Sequence, residues 1–336
     1  MGVVRTVTVE APLRIFDAGG WSDTWFAGHG AVCQWSVGPG ATVRAGEDTA
    51  QRQKISQVRL QVLDFDDDYS FALDAPPGRH PLLEAAVRRW APRAVPLHVT
   101  LSCSVPPGSS LGTSASVAVA LIAALQAVAG KAMAPAELAR AAHAVETVDL
   151  GRQSGVQDQV AAAFGGANLI AVDPYPDFDV TRLEVPRDLA EALAARAITI
   201  YLGSHDSSAV HRQVIEGTAD LEPLLVPVRE AATRAAAALT AGDLAAYAEA
   251  LRDSTEAQAA LHPDLVGATA RQVIELASRF GAPGWKVNGA GGGGGTVSII
   301  GPEDPRELRL ALAGIPGVVV LDLAPAATGA IVSDQS

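Results

Sequence analysis

Glycine, serine and proline dominate a segment between two apolar stretches: Pro106-Pro107-Gly108-Ser109-Ser110-Leu111-Gly112-Thr113-Ser114-Ala115-Ser116. Residues 97–105 before it predict a strand, and the alanine- and valine-rich residues 114–130 after it predict a buried helix. Small residues let backbone N–H groups approach an anion closely, and a helix N-terminus adds partial positive charge. The pattern favours phosphate binding, although a tight turn followed by a helix N-cap would have the same composition. It is not the Walker pattern Gly-x-x-x-x-Gly-Lys-Ser/Thr.

The overall composition is that of an acidic protein with enough apolar residues to form a core. Among 336 residues, 37 acidic and 25 basic side chains give a formal charge of −12, and 49% of the residues are hydrophobic. This length suits two domains, and the apolar content argues against disorder. Nucleic acids and anionic membranes bind basic surfaces, so we expect neither as a partner.

Cysteine usage and hydropathy indicate the cytoplasm. Cys33 and Cys103 form neither a disulfide framework nor a paired metal motif, so we expect reduced, buried thiols. The sequence has no signal-like first segment, and its longest apolar stretch, residues 117–128, is much shorter than the roughly 20 residues that cross a bilayer. We therefore expect a soluble, cytoplasmic protein.

The order of the predicted elements indicates an α+β fold. Strands are predicted at residues 3–10, 41–45, 56–65, 97–105, 167–172 and 197–202. Helices are predicted at residues 82–90, 114–130 and 135–150. Long helices rich in Ala, Leu, Glu and Arg then run to about residue 280, and strands at 296–300 and 318–323 flank a helix at 305–313. A strand-rich first half and a helix-rich second half predict a domain boundary near residues 175–205.

The glycine-serine segment resembles the phosphate-binding loop of the GHMP kinases, a superfamily named for galactokinase, homoserine kinase, mevalonate kinase and phosphomevalonate kinase. The shared pattern is Pro-x-Gly-x-x-Leu-Gly-Thr-Ser-Ala, and this chain departs from most members at Ser110, where they carry glycine. The resemblance implies that the loop binds the triphosphate of ATP. The residues implied in nucleotide binding are Pro107, Gly108, Ser109, Ser110, Leu111, Gly112, Thr113, Ser114 and Ala115.

A second motif, Arg14-Ile15-Phe16-Asp17-Ala18-Gly19-Gly20-Trp21-Ser22-Asp23-Thr24, is similar to the Gly-Gly-Trp-Ser/Thr-Asp sequence of fucose-type and heptose-type sugar kinases. A carboxylate and an aromatic ring beside a flexible turn suit a sugar, because one accepts hydroxyl hydrogen bonds and the other covers an apolar ring face. The resemblance implies that Trp21, Ser22 and Asp23 bind the sugar, and that Arg14 stabilises developing negative charge. The alternatives are a buried aromatic for Trp21 and a helix cap or turn for Asp23.

A third segment, residues 153–159, resembles the Gly-x-x-Asp-Gln sequence that carries the catalytic aspartate of the sugar kinases. The resemblance implies that Asp158 accepts or orients the acceptor proton, with Gly155 and Gln157 at the substrate. Glu146 lies where these kinases have a magnesium-binding glutamate, so Glu146 and Ser114 are the implied Mg²⁺ ligands. A solvated charge on a helix face is the alternative for Glu146.

The stretch Lys286-Val287-Asn288-Gly289-Ala290-Gly291-Gly292-Gly293-Gly294-Gly295 resembles the C-terminal glycine-rich motif of the family and implies Gly291 and Gly292 at the substrate. Its glycines also fit the spacing Gly-x-Gly-x-x-Gly of a dinucleotide fingerprint. That fingerprint follows a strand and opens a helix, whereas these glycines precede a predicted strand. A Rossmann oxidoreductase is therefore a remote alternative.

The resemblance, which runs from residue 11 to residue 295, implies a two-domain fold with the active site in the cleft between the domains. A ribosomal-protein-S5-like domain is expected at residues 1–185 and a ferredoxin-like domain at 186–336. The implied activity uses ATP and Mg²⁺ to phosphorylate a sugar or sugar phosphate, at the anomeric hydroxyl of heptose 7-phosphate or of a fucose- or arabinose-like sugar. Gln34, where sugar-kinase relatives commonly have asparagine, leaves a cyclitol or another alcohol open as the acceptor.

Three further questions stay open at the level of the sequence. A catalytically silent member of the family that binds sugar and ATP as a sensor is the alternative from another functional class. We expect a monomer or a homodimer. His205 and His211 carry no family signature, so contact with substrate and a solvated or capping role are both possible for them.

Overall fold

The computed structural model describes residues 6–48, 56–76, 78–93, 95–204, 212, 214–215 and 220–335. Strands β1 to β13 span Thr6–Ala18, Gly30–Glu47, Gln57–Val62, Asp67–Ala72, Leu97–Cys103, Ala167–Val172, Phe178–Arg182, Ala197–Gly203, Gly284–Val287, Gly295–Ile300, Val319–Leu321, Ala324–Pro325 and Ile331–Gln335. Helices α1 to α9 span Pro81–Trp90, Thr113–Val128, Pro135–Ala144, Gln157–Phe164, Arg187–Arg196, Glu222–Ala241, Leu244–Leu261, Ala268–Arg279 and Arg306–Ala313.

The larger of two sheets is built around the long strands β1 and β2. Its order is β13-β1-β2-β5-β3-β4, and β6 and β7 extend it beside β2. All pairings are antiparallel except that of β3 with β5. The first residues of β1 alternate between exposed and buried positions, and the strand is buried throughout from Ala11 onward. That change places the second half of β1 in the interior, where it contributes Arg14 and Asp17.

Helix α2 lies in the middle of the core that this sheet forms. Its residues from Ala115 to Ala127 are all buried, and they pack against apolar side chains such as Val9, Val43 and Val99. A helix that is apolar on every side must be enclosed, and burying each Val or Leu side chain contributes about 1.5–3 kcal/mol. The packing of α2 therefore holds the loop before it in a fixed position.

The smaller sheet has the order β11-β8-β10-β9 and packs against α8 and α9 through residues such as Ile200, Ile299 and Val273. Helices α6 and α7 place Ala232 and Leu251 against the buried half of β1. The two sheets with their helices confirm the predicted α+β class. The domain division at residue 186 stays a prediction, and β12 and β13 return to pair with β2 and β1 in the larger sheet.

Most predicted elements are present, with shifted ends. The expected helix at 135–150 divides into α3 and a π-helix, Val145–Asp149. The sequence analysis missed α4, α5, β4, β7, β9, β12 and β13, which are all short segments of ten residues or fewer. Cys33 is buried as expected, whereas Cys103 is only partly buried. Within the described ranges we find no helix that combines the length and the apolarity needed to cross a bilayer.

Candidate active site

Two cavities share a wall at the N-terminus of α2. The small cavity has a volume of about 200 Å³, and the large cavity has a volume of about 460 Å³. Four residues line both of them: Ser110, Ser114, Arg152 and Asp158. The small cavity is also lined by Arg14 of β1 and by Gly289 and Ala290 between β9 and β10, so both sheets contribute to it.

The glycine-serine segment forms one side of the large cavity. Gly112 has a left-handed backbone with φ of 77° and stands directly before the first residue of α2, Thr113. The loop residues that line the large cavity are Pro107, Gly108, Ser109, Ser110, Gly112, Thr113 and Ser114. Leu111 and Ala115 were also implied in nucleotide binding, but both are buried and do not line the cavity. The Leu111 carbonyl instead accepts a hydrogen bond from the Arg14 backbone N–H at 3.0 Å, which joins the loop to β1.

Asp158 lies in the first turn of α4 and pairs with Arg14. The Nε of Arg14 donates a hydrogen bond to Oδ1 of Asp158 at 2.8 Å. The Arg14 side chain is only 3% exposed, whereas that of Asp158 is 29% exposed. Burial acts to lower the pKa of Arg14, but the Asp158 and Asp17 carboxylates outweigh it and raise that pKa above its usual value. The Arg14 guanidinium therefore stays charged, and Asp158 lines both cavities.

The N-termini of α2 and α4 meet at this wall. A side chain at Gly112 would place its Cβ 3.1 Å from Cγ of Asp158, so the absence of a side chain allows the two helices to approach. Arg14 also donates a hydrogen bond to the carbonyl of Ser110. The loop, β1 and the first turn of α4 are thus connected through one guanidinium group.

Glu146 is buried beneath Ser114. Its Oε2 accepts hydrogen bonds from Oγ of Ser154 at 2.7 Å and from Nε2 of Gln159 at 2.8 Å, and the Ser114 hydroxyl is a further partner of the carboxylate. Burial, together with the charge of Asp158, raises the pKa of Glu146 above its usual value. The alternative of a solvated helix-face charge is therefore wrong, because the π-helix turns this side chain inward.

The hard oxygen donors of Glu146 and Ser114 fit Mg²⁺, which favours carboxylate, hydroxyl, phosphate and water oxygens. A cation beside a buried carboxylate also favours its charged form. Among the described residues no group of three or more His, Cys, Asp or Glu side chains is arranged to hold a metal ion. A magnesium ion at this place would therefore take most of its ligands from a bound phosphate and from water.

Asp23 caps α4 from outside the helix and also lines the small cavity. Its Oδ2 accepts hydrogen bonds from the backbone N–H groups of Val156 at 2.8 Å and Gln157 at 2.9 Å. Burial, with a contribution from the charge of Asp158, raises the pKa of Asp23 to about 6. A side chain at Gly155 would place its Cβ 2.2 Å from Oδ2 of Asp23, so only glycine allows this approach. Asp23 thus has both roles that the sequence suggested: it caps a helix and it lines the small cavity.

The other residues implied at the substrate divide into two groups. Trp21, Gly155 and Gln157 line the small cavity. Ser22 does not line it: its hydroxyl donates to the carbonyl of Gly19 at 2.8 Å and accepts from the N–H of Ala31 at 3.1 Å. Ser22 therefore holds the turn that presents its neighbours.

Gly291 and Gly292 do not line either cavity. The N–H of Gly292 donates to the carbonyl of Leu265 at 2.8 Å, and a Cβ at Gly291 would lie 2.1 Å from the same oxygen. These glycines let the backbone pass against residues 263–267. Gly289 and Ala290, which directly precede them, line the small cavity instead.

Gln34 lies behind the site rather than in it. It is fully buried, and its Nε2 donates to the carbonyl of Gln157 at 2.9 Å. The longer amide thus supports α4 from the side of β2. His205 and His211 lie outside the described residues.

A buried charge cluster behind the small cavity was not predicted. Oδ2 of Asp17 accepts a hydrogen bond from the N–H of Gly289 at 2.8 Å, and Nζ of Lys286 lies 3.9 Å from Oδ1 of Asp17. Nζ of Lys286 also donates to Oε1 of Gln258 at 2.6 Å. Burial lowers the pKa of Lys286 to about 8. The sequence showed only that Lys286 precedes the glycine-rich motif, and it did not indicate which residues Lys286 contacts.

Comparison with known proteins supports the family resemblance. Residues 81–166 match the family model described as GHMP kinases N terminal domain. The chain is 27% identical over 218 residues to D-glycero-alpha-D-manno-heptose 7-phosphate kinase of Campylobacter jejuni subsp. jejuni, which covers 64% of each chain. It is 28% identical over 221 residues to mevalonate kinase of Methanothermobacter thermautotrophicus, and this alignment covers 61% of this chain and 65% of that enzyme. Both alignments span slightly less than two thirds of the relative.

The fold is shared over a longer range than the sequence similarity. The crystal structure of a D-glycero-D-manno-heptose 1-phosphate kinase from Bacteriodes thetaiotaomicron superposes with a TM-score of 0.77. The match covers 98% of this chain and 99% of that chain at 22% identity. The predicted resemblance is thus supported: residues 81–166 match the GHMP kinase N-terminal domain, and the chain shares its fold with a heptose 1-phosphate kinase.

Proposed function

We propose that this protein is an ATP-dependent kinase that transfers the γ-phosphoryl group to a hydroxyl group of a sugar. The observation that carries the proposal is the position of Asp158 on the wall between two cavities, with a phosphate-binding loop on one side and a polar pocket on the other. Phosphoryl transfer needs an aligned donor and acceptor, neutralised charge and a group that takes the acceptor proton. The shared wall supplies a place for each.

The large cavity is the proposed nucleotide site. The loop residues and the N-terminus of α2 line this cavity, so their backbone N–H groups would bind the phosphates. Away from the loop, the cavity is lined by Phe65, Leu83 and Val117, which offer an apolar surface to an aromatic base. Glu146 and Ser114 would hold Mg²⁺, which would neutralise phosphate charge when bound.

The small cavity is the proposed acceptor site. Its lining includes Asp23, Thr24, Ser154 and Gln157, whose oxygens and amide nitrogens can pair with several hydroxyl groups, and the ring of Trp21. This density of polar groups favours a sugar over mevalonate, which is the substrate named for one of the relatives. A cyclitol would fit the same lining.

Two side chains are assigned to the chemical step. Asp158 accepts or orients the proton of the attacking hydroxyl group. Arg14 orients the Asp158 carboxylate through their hydrogen bond and stabilises negative charge that develops near the attacking oxygen. Within the sugars, we propose the anomeric hydroxyl of heptose 7-phosphate or of a fucose- or arabinose-like sugar, on the basis of the Gly-Gly-Trp-Ser-Asp motif and the heptose 7-phosphate kinase relative.

The test is release of ADP from Mg·ATP in the presence of a panel of acceptors: heptose 7-phosphate, fucose, arabinose, myo-inositol and mevalonate. We expect turnover with a sugar and an acid-labile product, as a sugar 1-phosphate is. Turnover with mevalonate alone would contradict the acceptor class. Binding of ATP and a sugar without release of ADP would contradict catalysis and favour the sensor.

A further inference from the structure

Arg152 occupies a position that the sequence motifs do not explain. It lies in the loop between the π-helix and α4, and it lines both the small and the large cavity together with Ser110, Ser114 and Asp158. Its backbone N–H donates to the carbonyl of Glu146 at 2.9 Å, and its positive charge acts on the Glu146 carboxylate. The backbone of Arg152 is therefore fixed at the wall where the proposed donor and acceptor meet, and the residue lines both cavities.

The side chain of Arg152 is exposed and has no protein partner within the described part of the chain: neither a hydrogen bond nor an ion pair to its guanidinium is formed there. Other arginines at the cavities are already engaged. Arg14 is buried between Asp158, Asp17 and the Ser110 carbonyl. Arg79 lies 3.4 Å from Asp67. Arg152 is thus the arginine whose donors remain available to a ligand at the shared wall.

The negative charge of the nucleotide's phosphates calls for a cationic side chain at this wall. The loop from residue 106 to residue 116 contains neither lysine nor arginine, so its contribution to phosphate binding comes from backbone N–H groups and hydroxyl groups. Asp158 and Glu146 add negative charge at the same place. A planar guanidinium presents paired donors that match two phosphate oxygens, and it remains charged at any working pH.

We propose that Arg152 binds the γ-phosphoryl group of ATP and stabilises the charge on it during transfer. This inference rests on the proposed kinase function. It adds a second arginine that stabilises charge, from a different segment of the chain than Arg14. Arg14 acts at the attacking oxygen from one side of Asp158. Arg152 acts on the transferred phosphoryl group from the wall that the two cavities share.

The first test measures nucleotide affinity without an acceptor. Wild-type protein and the variants Arg152→Gln and Arg152→Lys are titrated by calorimetry with ATP, ADP and AMP in the presence of Mg²⁺. We expect Arg152→Gln to weaken ATP binding by roughly tenfold and to change ADP and AMP binding by less than about twofold. Arg152→Lys keeps the charge but loses the paired donors, so its ATP affinity should lie between the two.

The second test measures turnover with the acceptor that the panel identifies. We expect kcat of Arg152→Gln to fall by about 100-fold or more, because the charge is largest in the transition state, with partial recovery in Arg152→Lys. Arg187→Gln is the matched control, since Arg187 is 87% exposed, pairs with Glu191 and lines neither cavity. It should retain the wild-type affinities and kcat.

Three outcomes would overturn the inference. Equal affinities of wild type and Arg152→Gln for ATP would remove the contact. Equal weakening of ATP and ADP would place Arg152 away from the terminal phosphate. Unchanged nucleotide binding with a raised KM for a phosphorylated sugar would assign Arg152 to the phosphate of the acceptor. Failure of the wild type to bind ATP at all would instead refute the kinase proposal itself, and this inference with it.

Discussion

Three carboxylates line the small cavity, and their surroundings differ in a way that separates their roles. Asp23 and Glu146 are buried, and burial raises the pKa of both above the usual value. Asp158 is 29% exposed and receives a hydrogen bond from a buried guanidinium. Of these three, Asp158 is thus the carboxylate that combines access to a ligand with a hydrogen bond from a cationic partner. The sequence pattern selected this residue, but the pairing with Arg14 across 144 positions came only from the fold.

Replacing Asp158 tests this assignment most directly. We expect Asp158→Asn to lower kcat by roughly 10²- to 10⁴-fold, the usual effect of losing a general base, and to leave the affinity for ATP nearly unchanged. Steady-state kinetics at saturating substrate and calorimetric titration with ATP measure the two effects.

Asp149→Asn is the matched control for Asp158→Asn. Asp149 pairs with Arg89 at 2.9 Å and is 28% exposed, but it lines neither cavity. This variant should retain wild-type kcat. Full activity of Asp158→Asn at saturating substrate would rule out Asp158 as the proton acceptor.

At the scale of elements, the site depends on the close approach of the N-termini of α2 and α4. The first backbone N–H groups of a helix have no partners inside it. At the start of α4, the N–H groups of Val156 and Gln157 donate to the Asp23 carboxylate. Residues of the loop before α2 line the large cavity. Alanine- and valine-rich composition predicted α2 and its position in the core, whereas α4 has only eight residues and no clear periodicity. Its place beside α2 follows from packing.

Gly112 and Gly130 flank α2. Comparing alanine variants at these two positions distinguishes the effect of backbone strain from an effect on the site. Both have left-handed backbones, with φ of 77° and 72°. Alanine at either position should therefore lower the free energy of unfolding by about 1–2 kcal/mol, as measured by urea denaturation. A methyl group at 112 would meet Asp158, whereas a methyl group at 130 has nothing within 4 Å.

Gly112→Ala should therefore reduce kcat by about tenfold or more, because small displacements of a reacting group are costly, and Gly130→Ala should leave kcat unchanged. Equal activity of the two variants would show that the approach of Asp158 to the loop does not matter for turnover.

At the scale of the whole molecule, a buried ionic cluster joins parts of the fold that the chain separates widely. Lys286 of β9 in the smaller sheet interacts with Gln258 of α7 and lies near Asp17 of β1 in the larger sheet. Asp17 in turn binds the N–H of Gly289 at the small cavity. Removing such charges from water is costly, so the cluster fixes the relation of the two sheets rather than adding much net stability.

The lowered pKa of Lys286 predicts a specific dependence of stability on pH. The native protein releases this proton near pH 8, whereas an unfolded chain retains it to about pH 10. Between these values the unfolded state binds more protons, so the free energy of unfolding contributed by Lys286 rises with pH. The difference in this free energy, wild type minus Lys286→Met, should therefore increase by up to about 3 kcal/mol from pH 7 to pH 10.

Urea denaturation at several pH values measures this difference. Lys131→Met, which removes a positive charge at an exposed position, is the control and should not change in this way. Parallel curves for wild type and Lys286→Met would mean that Lys286 is not ionised differently in the native state.

The sequence alone determined the resemblance to the GHMP kinases, the α+β class and the positions of the loop and Asp158 in the chain, because these depend on local composition and on short motifs with fixed spacing. The tertiary structure decided which residues face a ligand. It moved Leu111, Ala115, Ser22, Gly291 and Gly292 away from the cavities and brought Arg152 to their shared wall. It also paired Arg14 with Asp158 and Lys286 with Gln258. The two pairings join residues that are 144 and 28 positions apart. The direction of a side chain in a packed interior is set by neighbours that no local pattern contains.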